Sequence, residues 1–147
     1  MTIENNDFKC RECAFRLYLP IKRLNVATLG LYDDNRYPGR CILVYHEHIE
    51  FFEDLEDHEL FEFIKDIQHA SKVIKKAVNA KRINYAILGN AESHLHAHII
   101  PRKPDKEPIP NQAPWAHPEK SSPLSQEKRS KIIESIGAIF EKQRSLI

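Results

Sequence analysis

His94, His96 and His98 alternate with Leu95, Ala97 and Ile99, which concentrates more reactive groups here than anywhere else in the chain. On an extended strand, residues two apart share a face. The three imidazoles therefore project from one side and the three apolar side chains from the other. Each imidazole has two ring nitrogens that need partners, so three on one face are costly as mere core filling. Spacing alone leaves two uses open. Imidazole is a common metal ligand, and alternating histidines can chelate one ion. Alternatively, one ring attacks phosphorus while its neighbours bind phosphate oxygens and deliver a proton.

Cys10 and Cys13 form a second metal-competent pair, in a C-x2-C arrangement near the start of the chain. That spacing lets two thiolates bind one ion, and a tetrahedral site then needs two further ligands. Without metal they would be two reduced surface thiols. Cys41 opens the apolar run Cys41–Tyr45 and reads as a small buried hydrophobe. Three cysteines are too few and too odd in number for a disulfide framework, which favours a reducing, cytoplasmic setting. His58 and His69 read as surface or edge residues of a helix.

The elements that carry these residues follow from periodicity and turn chemistry. Phe15–Leu19, Asn25–Tyr32 and Cys41–Tyr45 are rich in strand formers, and Pro20 and the Asp33…Gly39 cluster separate them. They read as a three-stranded antiparallel meander. Between residues 55 and 79, Leu60, Ile64, Ile67, Ser71, Ile74 and Val78 recur at helical spacing. Acidic residues crowd the start of this helix and basic residues its end, which suits the helix dipole. Ile83–Gly89 and Leu95–Ile100 read as two further strands, joined by Asn90–Ser93. Seven of the nine prolines then lie between Pro101 and Pro123, so residues 101–123 form an arm without regular structure. Trp115 and His117 lie in this arm, where an exposed Trp would pack at an interface or stack on a base. Ser125 is a suitable N-cap for a last helix over about 125–145, with Ile132, Ile133, Ile136, Ile139 and Phe140 on one side.

A length of 147 residues favours a single domain spanning 1–147. The net charge of +1 carries no basic excess, which argues against a dedicated nucleic-acid binder. The longest apolar run, Cys41–Tyr45, is far short of the roughly 20 residues of a membrane span. The polar, acidic start Met1–Asp7 lacks the pattern of a secretory leader. The expected protein is thus cytoplasmic and without membrane or nucleic-acid partners.

The segment His94–Ile100 resembles the His-φ-His-φ-His-φ-φ motif (φ apolar) of the histidine triad (HIT) family of nucleotide hydrolases and transferases. Pro38-Gly39-Arg40 with the apolar strand behind it looks like the family's Pro-Gly-His strand entry. The motif-bearing core covers about residues 10–102. The resemblance implies an α+β HIT-like fold with about five antiparallel strands, one long helix and a C-terminal helix, paired as a homodimer. It implies that His96 attacks the α-phosphorus of a nucleotide to give a covalent nucleotidyl-histidine, which water then hydrolyses. His98 would hold a phosphate oxygen or protonate the leaving group, and histidine at this third position favours a hydrolase over a transferase or phosphorylase. Some members carry a C-x2-C pair that, with two histidines, binds a structural zinc ion. Here the ligands would be Cys10, Cys13, His48 and His94, with His46 as the competitor for His48. Two departures stand out. The loop before the triad is short, leaving Asn90 and Ser93 as candidate substrate ligands, and makes a nucleotide-binding module with little turnover an alternative. Arg40 replaces a histidine, as a phosphate ligand or a surface cation.

Overall fold

The computed structural model describes residues 7–144, so the start at residues 1–6 and the expected helix end at residue 145 lie outside the described residues. Within them run β1 (Pro20–Arg23), β2 (Ala27–Leu31), β3 (Cys41–Tyr45), α1 (Asp57–Ala77), β4 (Arg82–Ala86), β5 (His96–Arg102) and α2 (Gln126–Arg144). The strands form one antiparallel sheet in the order β1-β2-β3-β5-β4. The β1-β2-β3 meander is the one the turn residues imply. The strand carrying the histidines sits inside the sheet, between β3 and β4.

The two faces of the sheet have different covers. Leu29, Leu43, Ala97 and Ile99 turn toward the helices and pack with Phe63, Ile67, Ala70 and Ile74 of α1 and Ile136 and Phe140 of α2. Burying each large aliphatic or aromatic side chain in such a layer contributes about 1.5–3 kcal/mol. The opposite face carries the histidines, and beside them Ile42 and Val44 pack under Phe8, Cys10 and Leu17 of the N-terminal segment. Gly30 makes that approach possible, since a Cβ there would lie 2.6 Å from a Leu17 methyl carbon. Any side chain at this position would force the Leu17 side chain to shift.

Three expectations need correction. The proline-rich arm starts after Arg102 and not at Pro101, because Pro101 and Arg102 pair with Ile83 and Arg82 as the end of β5. The first strand is not Phe15–Leu19; it begins at Pro20, the residue read as its terminator. Proline is tolerated at the first position of an edge strand, where its missing N–H costs no ladder bond, and β1 is such an edge. The expected helical face buries Ile67, Ser71, Ile74 and Val78 but leaves Ile64 45% exposed, while Phe63 and Ala70 of α1 are fully buried in the core. Other local signals hold. Glu56 and Glu59 form a capping box at the start of α1, and the Ser125 hydroxyl accepts the Lys128 N–H at the start of α2. Asp66 ties α1 to the β1–β2 turn by accepting backbone N–H bonds from Asn25, Val26 and Ala27. Among the described residues no helix is long and apolar enough to cross a membrane.

Candidate active site and candidate metal centre

The pairing of β5 with β3 sets Val44 opposite His96 and Ile42 opposite His98. Leu95, Ala97 and Ile99 join the helical core as the alternation requires, and the three histidines lie on the other face. Each ring then meets a different partner. His96 Nδ1–H donates to the backbone carbonyl of His94 at 2.6 Å, so in the neutral ring Nε2 carries the lone pair. His94 donates from Nε2 to the Tyr45 carbonyl at 2.6 Å, which leaves its Nδ1 as the lone-pair nitrogen. His98 Nδ1 lies 3.1 Å from Arg40 Nη2. Guanidinium only donates, so this Nδ1 accepts.

Aromatic rings fix the planes of these imidazoles. Phe15 stacks on both His94 and His96, and Tyr32 meets His98 edge-on. The His96 and His98 rings stand 5.2 Å apart. Burial, reinforced by the Arg40 charge and His96, pushes the His98 pKa down to about 4, so this ring is neutral near pH 7. His94 is lowered too, mainly by burial and partly offset by its bond to the Tyr45 carbonyl.

His96 and His98 open onto a cleft of about 660 Å³ lined also by Phe15, Leu17, Tyr18, Tyr32 and Asn90. The cleft is large enough for a nucleotide-sized ligand, with aromatic walls and a small set of polar groups. Asn90 thus falls in the cleft, whereas exposed Ser93 is not among its lining residues. Arg40 is not a lining residue either; its guanidinium is largely buried and bonds Asp34 and His98.

Cys10, Cys13, His48 and His94 converge beside the cleft, with one ligand atom from each lying within 4.8 Å of all the others. The chain reverses tightly between the two cysteines, where Cys10 exchanges backbone bonds with Ala14 and Phe15 and Ala14 adopts a φ of 61°. Cys10 Sγ stands 3.7 Å from His48 Nδ1 and Cys13 Sγ 3.5 Å from His94 Nδ1. Zinc–sulfur and zinc–nitrogen bonds of ordinary length in a tetrahedron separate the ligands by roughly 3.3–3.8 Å, so these spacings suit one ion. Burial disfavours the Cys10 thiolate, but backbone N–H groups of Cys13 and Glu12 and the His48 ring outweigh it and lower its pKa. The four residues could hold a metal. His46 is engaged elsewhere, bonding Thr28 Oγ1 through Nε2 at 2.8 Å.

Neither Tyr32 nor Asp34 stands out in the sequence, because Tyr32 reads as the last residue of a strand and Asp34 sits in a stretch whose Asp, Asn, Pro and Gly content signals only a turn. Phe15 reads as a strand residue. Its place over two histidines depends on the N-terminal segment crossing the sheet, which no local pattern announces.

Taken together, the protein is a two-layer α+β domain with imidazoles alternating along an inner strand beside a Cys2His2 cluster. The chain belongs to the HIT domain family, whose family model matches residues 24–105. An uncharacterised HIT-like protein of Methanocaldococcus jannaschii is 35% identical over 80 residues, which are 51% of this chain and 62% of that protein. The match therefore spans less than two thirds of this relative's length. A histidine triad protein of Sinorhizobium meliloti superposes with a TM-score of 0.71 at 27% identity, covering 80% of this chain and 86% of that one. A diadenosine triphosphate hydrolase of Plasmodium falciparum, solved with cyclomarin A, gives a TM-score of 0.69 at 14% identity over 95% of this chain and 88% of its own. A zinc-bound histidine triad family protein of Mycobacterium smegmatis gives 0.61 at 13% identity over 84% and 86%. The last two likenesses are of fold.

Proposed function

We propose that this protein is a nucleotide phosphohydrolase acting through a covalent nucleotidyl-histidine at His96. The observation that carries this reading is the His96–His94 bond. A proton held on Nδ1 by a backbone carbonyl leaves the Nε2 lone pair free at a nucleotide-sized cleft. Nε2 forms a bond to phosphorus, and the phosphorus bond to the leaving group breaks with its electron pair. The positive charge that develops on the ring is shared with the His94 carbonyl through Nδ1–H. His98 supplies an N–H to a phosphate oxygen. Water then attacks phosphorus and gives up a proton to solvent, the P–N bond breaks, and the electron pair returns to Nε2. Tyr18, Tyr32 and Asn90 supply stacking and polar contacts for the rest of the nucleotide. The hydrolase fold neighbour from Plasmodium falciparum is consistent with this assignment.

The cluster of Cys10, Cys13, His48 and His94 fits zinc by its donor set of two thiols and two imidazoles. The ion would be structural, fastening the N-terminal segment to the strand that carries His96, and the reaction needs no step at the metal. The reading also includes a homodimer joined at the free β4 edge. Incubation with dinucleoside polyphosphates and nucleoside phosphoramidates tests the activity, and acid-labile, base-stable labelling of His96 tests the intermediate. Acceleration by inorganic phosphate would mark a phosphorylase instead. The short Asn90–Ser93 loop favours a second reading, a nucleotide-binding module, which tight binding without turnover would establish.

A further inference from the structure

Resting on the hydrolase reading above, we propose that Arg40 commits His98 to hydrogen-bond donation without proton transfer, so that the site takes phosphoanhydrides in preference to phosphoramidates.

Arg40 Nη2 reaches His98 Nδ1 at 3.1 Å. Guanidinium has N–H donors and no acceptor, so Nδ1 must carry the lone pair and the ring proton must sit on Nε2. His96 has the opposite arrangement, with its proton on Nδ1 and the lone pair on Nε2. Two neighbouring rings therefore offer complementary nitrogens, one an acceptor and nucleophile, the other a donor. For His98 to become an imidazolium, a second proton would have to enter at Nδ1, where Arg40 already donates.

Arg40 is held in this pose from three sides. Asp34 accepts its Nη1–H at 3.0 Å, the Tyr32 ring centre lies 4.1 Å from Cζ, and His98 takes Nη2–H. Asp34 is itself fully buried and is fixed by Nε–H and Nη2–H of Arg36 at 3.0 and 2.9 Å. Arg40 Nε is buried with no partner, which matches a guanidinium placed to serve His98 and not to satisfy all its own donors. Arg40 is thus a positioning residue that acts through His98.

The consequence falls on the leaving group. A neutral imidazole that surrendered its Nε2 proton would become an imidazolate, so His98 bonds a phosphate oxygen and keeps its proton. When His96 Nε2 bonds to phosphorus, the departing group leaves with the electron pair and no proton from the protein. A phosphate or nucleotide departs readily as an anion. An amine would have to depart as a far more basic amide anion unless solvent protonates it first. Phosphoanhydride cleavage therefore needs nothing that Arg40 takes away, and phosphoramidate cleavage does.

Nitrogen-15 NMR of the full-length resting protein reads the ring directly. The expected His98 spectrum has a protonated Nε2 and a bare Nδ1, and a proton found on Nδ1 overturns the proposal. Arg40→Met should mix the two tautomers, and Arg40→Lys, which keeps a donor, should restore the Nε2-protonated form. Should Arg40→Met fold poorly, the wild-type spectrum and the Lys variant still decide the question. Diadenosine triphosphate and an alkylamine phosphoramidate of AMP then test the preference. Positioned general acids contribute roughly 10²–10⁴-fold, so wild-type kcat/KM should favour the anhydride by about a hundredfold or more. Arg40→Met should narrow that ratio by about tenfold as His98 regains access to a second proton. Equal wild-type rates on both substrates overturn the preference and leave the hydrolase reading standing. If neither substrate is cleaved, the hydrolase reading fails and the preference falls with it.

Discussion

Three imidazoles two residues apart differ in state because different groups hold one nitrogen of each. A backbone carbonyl holds Nδ1 of His96, another holds Nε2 of His94, and a guanidinium holds Nδ1 of His98. On the proposed mechanism His96→Ala should fold normally and lose turnover by several orders of magnitude, since it deletes the proposed nucleophile. Retention of most activity would exclude covalent catalysis at this residue. The Asp34 beneath Arg40 gives a second test. Burial opposes ionisation of its carboxyl, but the hydrogen bonds and charges of Arg36 and Arg40 outweigh that and hold its pKa below the ordinary value. A depressed carboxylate contributes stability above its unfolded pKa of about 3.9 and loses it as pH falls through the folded value. Asp34→Asn should thus be less stable than wild type near neutrality, with a gap that closes below about pH 4 in urea titrations. A gap independent of pH would show that the carboxylate charge does not matter. The shared face of the three histidines was legible in the sequence because a period of two is local. Their partners were not, since Arg40 lies 58 residues from His98 and Tyr45 lies 49 from His94. Only the pairing and packing around β3 and β5 bring them together.

At the scale of elements, prolines announced an arm after β5, but nothing in its composition said what orders it. Arg102 at the end of β5 does so. Its guanidinium donates to Glu107, to Asn84 Oδ1 on β4 and to the Gln112 carbonyl, all between 2.7 and 2.8 Å. Glu107 closes the loop by accepting the Lys103 N–H at 2.6 Å. The Tyr37 hydroxyl adds a bond to the Pro114 carbonyl at 2.9 Å. Glu107 and Arg102 are each only 6% exposed in their side chains, so removing one strands the other's charge. Such a break typically costs about 3–5 kcal/mol, and Arg102→Met should show a loss of that order in denaturant unfolding. The arm should also become sensitive to protease between residues 103 and 123. Stability within about 1 kcal/mol of wild type would mean the arm is held by other contacts. The first strand shows the complementary failure of sequence reading. Pro20 was a sound turn signal, yet an edge strand accepts proline at its first residue, and only the sheet order reveals that β1 is an edge.

For the whole molecule, two attachments link distant parts of the chain, and each has its own experiment. The Cys10–Cys13 turn reaches the sheet through His48 and His94, and the segment it fastens contributes Phe15 and Leu17 to the cleft wall. Metal-replete protein should contain close to one zinc per chain, and chelation should lower Tm before chemistry fails. Undiminished zinc in a Cys10→Ser/Cys13→Ser variant would refute the site. The second attachment belongs to the proposed homodimer. Among the described residues β4 is an unpaired edge of the sheet, and the arm brings Trp115, 65% exposed, into a groove it shares with Arg82, Asn84 and Tyr85 of that strand. Within its own chain Trp115 is therefore beside the β4 edge and not among the residues lining the histidine cleft. An exposed indole next to an exposed Tyr85 on an unpaired edge is the composition of an interface centre, where truncating one aromatic commonly costs about 2 kcal/mol or more. Trp115→Ala should then shift the monomer–dimer equilibrium toward monomer by about thirtyfold in sedimentation runs across concentration. Measured well above the new dissociation constant, kcat should stay near wild type, because no histidine contact is touched. A change in kcat at saturating protein and substrate would show that the arm acts on the chemistry. An unchanged dimer with unchanged KM would show that the arm is only a tether between β5 and α2.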